Sequence, residues 1–350
     1  MVKFGLTILL GALGFGCPNS AYGNPAINAW HIHDLNSDTN RTWTAGENEF
    51  MKDKTEEDIR YLCGSILLDE ETDNTPIVTY GTHGVENDPL GNDHLGNDHL
   101  DSNDPLGNDN IPDEFDARVK WPDYIHPIRN QKQCGSCWAF SAAEVLTDRF
   151  TIATNGKFKT VLSPEDLVSC DKTDMGCMGG QLPSAWRYMR DSGIVTDTCF
   201  PYNSGNGTTS PCVTECADSE PFSTSKHRAK NFYQLNTVQD IQLEIMRNGP
   251  VQAAFRVYKS FMSYTSGVYQ RSWWKVWDTI MGGHAIKIVG WGTQVDSSTN
   301  KSVDYWTVAN SWDTSWGEQG YFRIKRGVNM CGIESNVYAG LPLIEERVKK

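Results

Sequence analysis

The 350-residue chain carries a formal net charge of −13, is 39 % hydrophobic and contains 12 tryptophans. That is enough apolar material for one large or two average folded domains, and it excludes global disorder. The acidic balance argues against nucleic acid as a main partner.

In chain order, Lys3 precedes an unbroken run of apolar and small residues from Phe4 to Phe15, followed by Ala21-Tyr22-Gly23. Residues 1–23 therefore read as a signal peptide, a better fit than a buried first helix. The run is too short to span a bilayer and no later one is long enough, so no membrane span is expected. The expected location is the secretory pathway, ending in a lysosome-like vacuole or outside the cell. Ten cysteines suit an oxidising compartment, and Cys17 leaves with the signal.

Residues 24–85 read as a small helical segment. Thr55-Glu56-Glu57-Asp58 has the form of a capped helix start, Ile59 and Leu62 supply an apolar face, and Gly64 is placed to end the helix. Residues 86–110 are low in complexity, with Asn-Asp-Pro-Leu-Gly and Asn-Asp-His-Leu units and seven acidic side chains but no Lys or Arg. A five-residue period is too short for a solenoid, and the Asp and Asn side chains lack an EF-hand ligand pattern, so a solvated linker is expected and no metal site.

From Ile111 to the end, residues 111–350, the pattern is that of a packed domain. Trp138, Ala142, Val145, Leu146 and Phe150 have helical spacing, Ser163-Pro164 is a helix start, and Thr237 to Asn248 predicts a helix stopped by Gly249-Pro250. Strands are predicted at Ala285–Val289, Tyr305–Ala309 and Tyr321–Ile324, with a polar hairpin over Thr293 to Val303. Helices first and strands later suggest two lobes with a cleft between them.

Chemistry concentrates at Gln131-Lys132-Gln133-Cys134-Gly135-Ser136-Cys137-Trp138. A helix starting near Cys137 aims its positive end at that sulfur, which together with an imidazolium favours thiolate. A bare Cys-x-x-Cys also fits a redox pair or half a zinc site, although no second pair completes a ribbon. His284, in Met281-Gly282-Gly283-His284-Ala285-Ile286, follows Cys137 by 147 residues, and Asn310, in Val308-Ala309-Asn310-Ser311-Trp312, by 173. A neutral amide suits the orientation of an imidazole without changing its charge. Trp312 and Trp316 read either as core or as a shield over that hydrogen bond.

These motifs resemble the papain family of cysteine proteases (peptidase C1). Cys134-Gly135-Ser136-Cys137-Trp138-Ala139-Phe140 is shared across it. Cys199-Phe200-Pro201-Tyr202, the segment around His284, Cys331-Gly332-Ile333-Glu334-Ser335, and the upstream Thr42-Trp43-Thr44-Ala45-Gly46 and Leu62-Cys63-Gly64 resemble the cathepsin B group within it. The resemblance implies an α+β, papain-like two-lobe fold, with a helical left lobe, a β-barrel-like right lobe and a helical propeptide that acts as the enzyme's own inhibitor. It implies a cysteine endopeptidase made as a secreted zymogen, acting on proteins and peptides without a cofactor.

By the same resemblance Cys137, His284, Asn310 and Gln131 are catalytic, with Gln131 serving the oxyanion. Gly135, Ser136, Gly179, Gly180, Leu182, Ala254, Gly283, Ala285, Trp312 and Asn336 bind substrate, Gly179 and Gly180 through their backbones. Disulfides are implied between Cys134 and Cys177, Cys170 and Cys212, and Cys199 and Cys216, leaving Cys137 and Cys331 as thiols. Maturation is expected between about Gly84 and Asn110.

Two departures stand out. The long histidine-bearing loop of the cathepsin B group is missing, since only Asn203 to Ser210 separates Tyr202 from Pro211. Ser272-Trp273-Trp274-Lys275-Val276-Trp277 looks inserted, and its tryptophans read as core packing in preference to a lid in which Lys275 holds a carboxylate. A catalytically dead homologue is the other class of reading, although no essential residue is missing. Asn40, Asn206 and Asn300 lie in glycosylation sequons.

Overall fold

The computed structural model describes residues 23–39, 41–68, 73–80, 110–296 and 301–344. The expected signal peptide up to residue 22, the acidic linker up to residue 109, Asn40 and Asn300 lie outside them.

The N-terminal segment contributes α1 (Ala29–Asn36), β1 (Trp43–Ala45) and α2 (Glu56–Leu62). At α2, Thr55 accepts from the Asp58 amide while Asp58 reaches back to the Thr55 amide, so two orphan donors are satisfied. This helix stops at Cys63 and not through a left-handed Gly64. Gly64 has a different constraint: a Cβ there would stand 1.9 Å from the Gly135 carbonyl oxygen.

Next come β2 (Phe115–Asp116), α3 (Ala117–Lys120), α4 (Cys137–Ala153), α5 (Pro164–Cys170) and α6 (Leu182–Asp191). The helix α4 is buried from Cys137 through Thr151 on every face. It is the axis of one lobe, packed by Leu162, Leu167, Ala185 and Trp186. Its buried charges are paired: Arg149 with Glu244 at 2.7 Å and Asp148 with Lys287 at 2.7 Å. Unpaired, each would incur the desolvation cost of an isolated interior ion.

The second lobe holds β3 (Tyr233–Leu235), α7 (Val238–Asn248), β4 (Val251–Tyr258), α8 (Lys259–Met262), β5 (Tyr264–Tyr269), β6 (Ile280–Asp296), β7 (Lys301–Ala309), β8 (Tyr321–Lys325) and β9 (Val337–Ala339). The strands follow the order β1-β5-β8-β7-β6-β4-β9-β3, with β2 also on β6. The N-terminal segment thus adds a strand to the sheet, with Trp43 opposite Gly267 and its ring on Tyr264 and Tyr269. Aromatic packing by Phe255, Phe261, Trp312, Trp316 and Phe322 fills this lobe's core. The predicted hairpin is continuous ladder: β6 and β7 stay paired out to Asp296 and Lys301. Three disulfides, Cys134–Cys177, Cys170–Cys212 and Cys199–Cys216, staple the helical lobe, and Cys63, Cys137 and Cys331 are free and buried. No helix among the described residues is long and apolar enough to cross a membrane.

Candidate active site

Cys137 is the first residue of α4, at the face where the helical lobe meets β6. The loop before it is fixed from three sides. Cys134 is bridged to Cys177, Gly135 N donates to the Cys177 carbonyl at 3.0 Å, and the Tyr202 hydroxyl donates to the Gln131 carbonyl at 2.8 Å while bonding the Ser136 hydroxyl. Ser136 thus positions the turn, its hydroxyl committed to Tyr202. Tyr202 was not singled out as a site residue; its signal was the Cys-Phe-Pro-Tyr string.

Opposite stands His284 on β6, paired with Phe255 of β4. Its Nε2 meets Asn310 Oδ1 at 2.7 Å, and that oxygen also accepts from the Ser311 amide at 2.8 Å. The Trp312 ring stacks 4.6 Å from the imidazole and is itself fully buried. It lies against the imidazole and belongs to the core as well. Trp316 packs edge-on against it. Nδ1 of His284 has no hydrogen-bond partner.

Gln131 sits between the two lobes. Ser311 donates its hydroxyl to Gln131 Oε1 at 2.6 Å, which turns the Nε2 donor toward the cleft. There it donates to the Leu62 carbonyl at 3.0 Å and to that of Cys134 at 2.8 Å. A backbone carbonyl of the N-terminal segment therefore occupies a donor that faces the candidate nucleophile's loop.

The segment from Leu62 to Leu68 runs through the cleft. Gly180 N donates to Gly64 O at 2.9 Å, Ile66 N to Gly180 O at 2.9 Å, and Ser65 N to Gly283 O at 3.0 Å. The pairing falls to Gly180 and Gly283. Gly179 was expected to pair as well, but its amide and carbonyl close their own turn with Gly176 and Met175. It contributes space: a Cβ on it would meet Gly64 O at 2.7 Å. Leu67 lines a small pocket with Leu182, Ala254, Asn336 and Tyr338, and packs against the cluster that includes Leu182, Ala254 and Ala285. Glu334, a possible acid for that pocket, is committed elsewhere. Its carboxylate accepts from Trp306 Nε1 at 2.9 Å and from the Gly327 and Asn329 amides at 2.7 Å each.

Covered in this way, both candidate catalytic groups are neutral at physiological pH. Burial pushes the Cys137 thiol up to about 11, against the pull of amides at Ala285, Gly64, Trp138 and Cys137 itself. Burial lowers His284 to about 4, opposed by the Asn310 hydrogen bond. Burial of both groups disfavours the thiolate–imidazolium pair in this covered cleft.

The inserted loop departs in part from its expected role: Trp277 is partly buried against the sheet lobe's core, as expected, whereas Trp273 and Trp274 are not. Trp273, Trp274 and Val276 are exposed at 64 %, 67 % and 93 % and are not core. Lys275 and Trp277 face α1 of the N-terminal segment.

Residues 111–341 match the family model described as papain family cysteine protease. The chain belongs to that family. It is 45 % identical over 254 residues to "Cathepsin B-like cysteine proteinase 3" of Caenorhabditis elegans, an alignment spanning 66 % of this chain and 66 % of that relative. It is 44 % identical over 230 residues to "Cathepsin B-like CP3" of Giardia intestinalis, covering 65 % of this chain and 74 % of that one. Among solved structures, "proCathepsin B S9 from Trypanosoma congolense" superposes with a TM-score of 0.76 at 31 % identity, over 91 % of this chain and all of that one. The cathepsin B-like papain fold with its upstream segment in place is therefore the architecture of this chain.

Proposed function

We propose that the chain is the zymogen of a secreted cysteine endopeptidase, with residues 1–23 as signal, 24–85 as inhibitory propeptide, 86–110 as the linker cut on maturation and 111–350 as catalytic domain. The observation that carries this reading is the Leu62 carbonyl on Gln131 Nε2, in a segment that also pairs with Gly180 and Gly283. A polypeptide already lies where a substrate must lie, with a carbonyl on the donor suited to an oxyanion.

In the uncovered enzyme, Cys137 thiolate attacks the substrate carbonyl. The oxyanion is met by Gln131 Nε2 and the Cys137 backbone amide, two donors aimed where charge develops. His284 delivers its proton from Nδ1 to the leaving amine, its Nε2 being held by Asn310. Water then attacks the thioester with His284 as base, releasing the acid and restoring the thiolate. A dithiol oxidoreductase that cycles Cys134 with Cys137 is not supported, because Cys134 is bonded to Cys177.

The leucine-lined pocket favours an apolar second residue in substrates. Asn336 is neutral and Glu334 is held by three donors, so a buried guanidinium has no carboxylate to meet. Peptides with Leu or Phe there are expected to exceed their Arg counterparts in kcat/KM by on the order of tenfold or more, the loss of one charge-assisted hydrogen bond. Equal or better cleavage of the Arg peptide would show that an acid reaches the pocket.

Chain polarity in the cleft also bears on activity. The loop Asn203–Ser210 is a short turn pinned by Glu165, which accepts from the Asn203 and Ser204 amides at 3.0 Å each. It carries no histidine or cysteine, so nothing in it anchors a C-terminal carboxylate. An internally quenched peptide is expected to be cut at similar rates with a free or an amidated C-terminus. Strong dependence on the free carboxylate, with dipeptide products, would overturn the endopeptidase reading.

A further inference from the structure

The inserted loop holds a carboxylate with two donors from the catalytic domain. Lys275 Nζ donates to Asp34 Oδ2 at 2.7 Å and to the Asp34 carbonyl at 3.0 Å, and Trp277 Nε1 donates to the same Oδ2 at 2.8 Å. The Trp277 ring stacks on His31 at 3.9 Å with the planes 9° apart. All of these contacts run to α1, in the segment that leaves on maturation.

The loop does not depend on that segment for its shape. Asp278 accepts from Ser260 N at 2.8 Å and Ser260 Oγ at 3.0 Å, while Arg271 donates to the Asp278 carbonyl at 3.1 Å. The Lys275 amide closes a turn on Ser272 O and the Asp278 amide one on Lys275 O. A loop braced in this way keeps its donors in place when its ligand departs, so little ordering cost remains for the next one. What departs leaves a lysine ammonium with no other hydrogen-bond partner among the described residues, an indole N–H and an indole face, beside the exposed Trp273 and Trp274.

We propose that Lys275 and Trp277 form an exosite for an acidic side chain of a protein substrate, on the same side of the cleft as the leaving-group half of the chain. The inference rests on the peptidase reading above. The substrate assignment follows from the N-terminal segment itself, a single polypeptide that fills the cleft at Leu62 to Leu68 and this site at His31 and Asp34. Leu67 packs at the second-residue pocket, and the chain preceding Leu62 runs toward the loop, with Arg60 Nη1 donating to the Ile280 carbonyl at 3.2 Å and Glu56 paired with Lys259 at 2.9 Å. A protein substrate long enough to span the cleft meets the same two places. An Asp or Glu preceded by an imidazole or aromatic ring matches what the site now holds.

The test uses mature enzyme and quenched peptides that share one cleavable core. One ends at the core. A second carries, on its leaving-group side, about twelve Gly/Ser residues followed by His-Ile-His-Asp-Leu, the spacer covering the roughly 30 Å that nine extended residues from Lys275 to His284 span at most. A third has Asn for that Asp. The Asp peptide is expected to exceed the Asn peptide in kcat/KM by on the order of fivefold to tenfold, through KM and with the gain shrinking as salt rises. Lys275→Met should abolish the difference, and Trp277→Phe, which keeps the ring but removes the donor, should reduce it. Neither variant should alter cleavage of the core peptide. Equal rates for the Asp and Asn peptides, or a gain that survives Lys275→Met, would overturn the exosite and confine the site to holding the N-terminal segment. Failure of the core peptide to be cleaved at all would instead count against the peptidase reading.

Discussion

Replacing Cys137 by Ala is expected to reduce peptide cleavage by mature enzyme by at least about a thousandfold, to the level that binding and oxyanion donors alone sustain. The Cys137 thiol heads α4, where the Ala285 amide of the strand bearing His284 reaches it, and the Cβ of alanine keeps the buried turn intact. Replacing His284 by Ala should cost nearly as much, since attack and departure both need its proton. Asn310→Ala should cost less, because Trp312 still packs on the imidazole at 4.6 Å and holds its plane after the amide is gone. The three variants, compared by kcat/KM at constant fold stability, give an ordering. Full activity in Cys137→Ala, or Asn310→Ala as damaging as His284→Ala, would break it.

Gly64→Ala should release the enzyme from its own N-terminal segment. A Cβ at Gly64 would lie 1.9 Å from the Gly135 oxygen and 2.5 Å from its carbon, both backbone atoms of a turn tied to Cys177. No rotamer relieves such a clash, so the segment must lift away, and it takes with it the Ser65 pairing to Gly283 and the Leu62 carbonyl on Gln131. Overpacking of this kind costs about 1–3 kcal/mol, which corresponds to roughly a fivefold to hundredfold weaker hold. The uncleaved Gly64→Ala chain, its integrity checked by mass, should hydrolyse a short peptide faster than the uncleaved wild type by that factor. Mature enzyme from either precursor should be identical, because the proposed maturation cut removes residue 64. Unchanged latency would mean that the segment's hold does not depend on this close approach.

Local chemistry was legible in the sequence because it is written in short runs. The turn at Gln131–Trp138 needs a small residue where backbones touch, and the Asn310 string marks the end of β7, whereas β6 begins at Ile280 and carries His284 inside it, upstream of the strand predicted from Ala285. Helix α7 was legible from Thr237 and Gly249, which cap it at either end. What stayed hidden depends on residues far apart in the chain. Strand β4 is buried on nearly its whole length, so it lacks the alternation that marks a half-buried strand. The helix α1 has only Leu35 buried, and its pairing of Asp34 with Lys275 joins positions 241 residues apart. Trp273 and Trp274 read as core because tryptophan usually is, yet a loop shaped by Asp278 and Arg271 turns them outward. The positioning roles of Tyr202 and Ser311 likewise appear only when Gln131 is seen between them.

The central claim is that Cys137 is the nucleophile of a peptidase, and active-site titration with a thiol-alkylating epoxide tests it most directly. Of the free cysteines, Cys63 belongs to the segment proposed to leave on maturation, and Cys331 is buried with its thiol pushed up to about 12 by desolvation. Mature enzyme should take up one equivalent of reagent, located at Cys137 by peptide mapping, with activity falling in proportion. The uncleaved chain, its thiol buried and at about 11, should react far more slowly. Full labelling of Cys137 with activity retained, or activity lost with the adduct on another residue, would contradict the account.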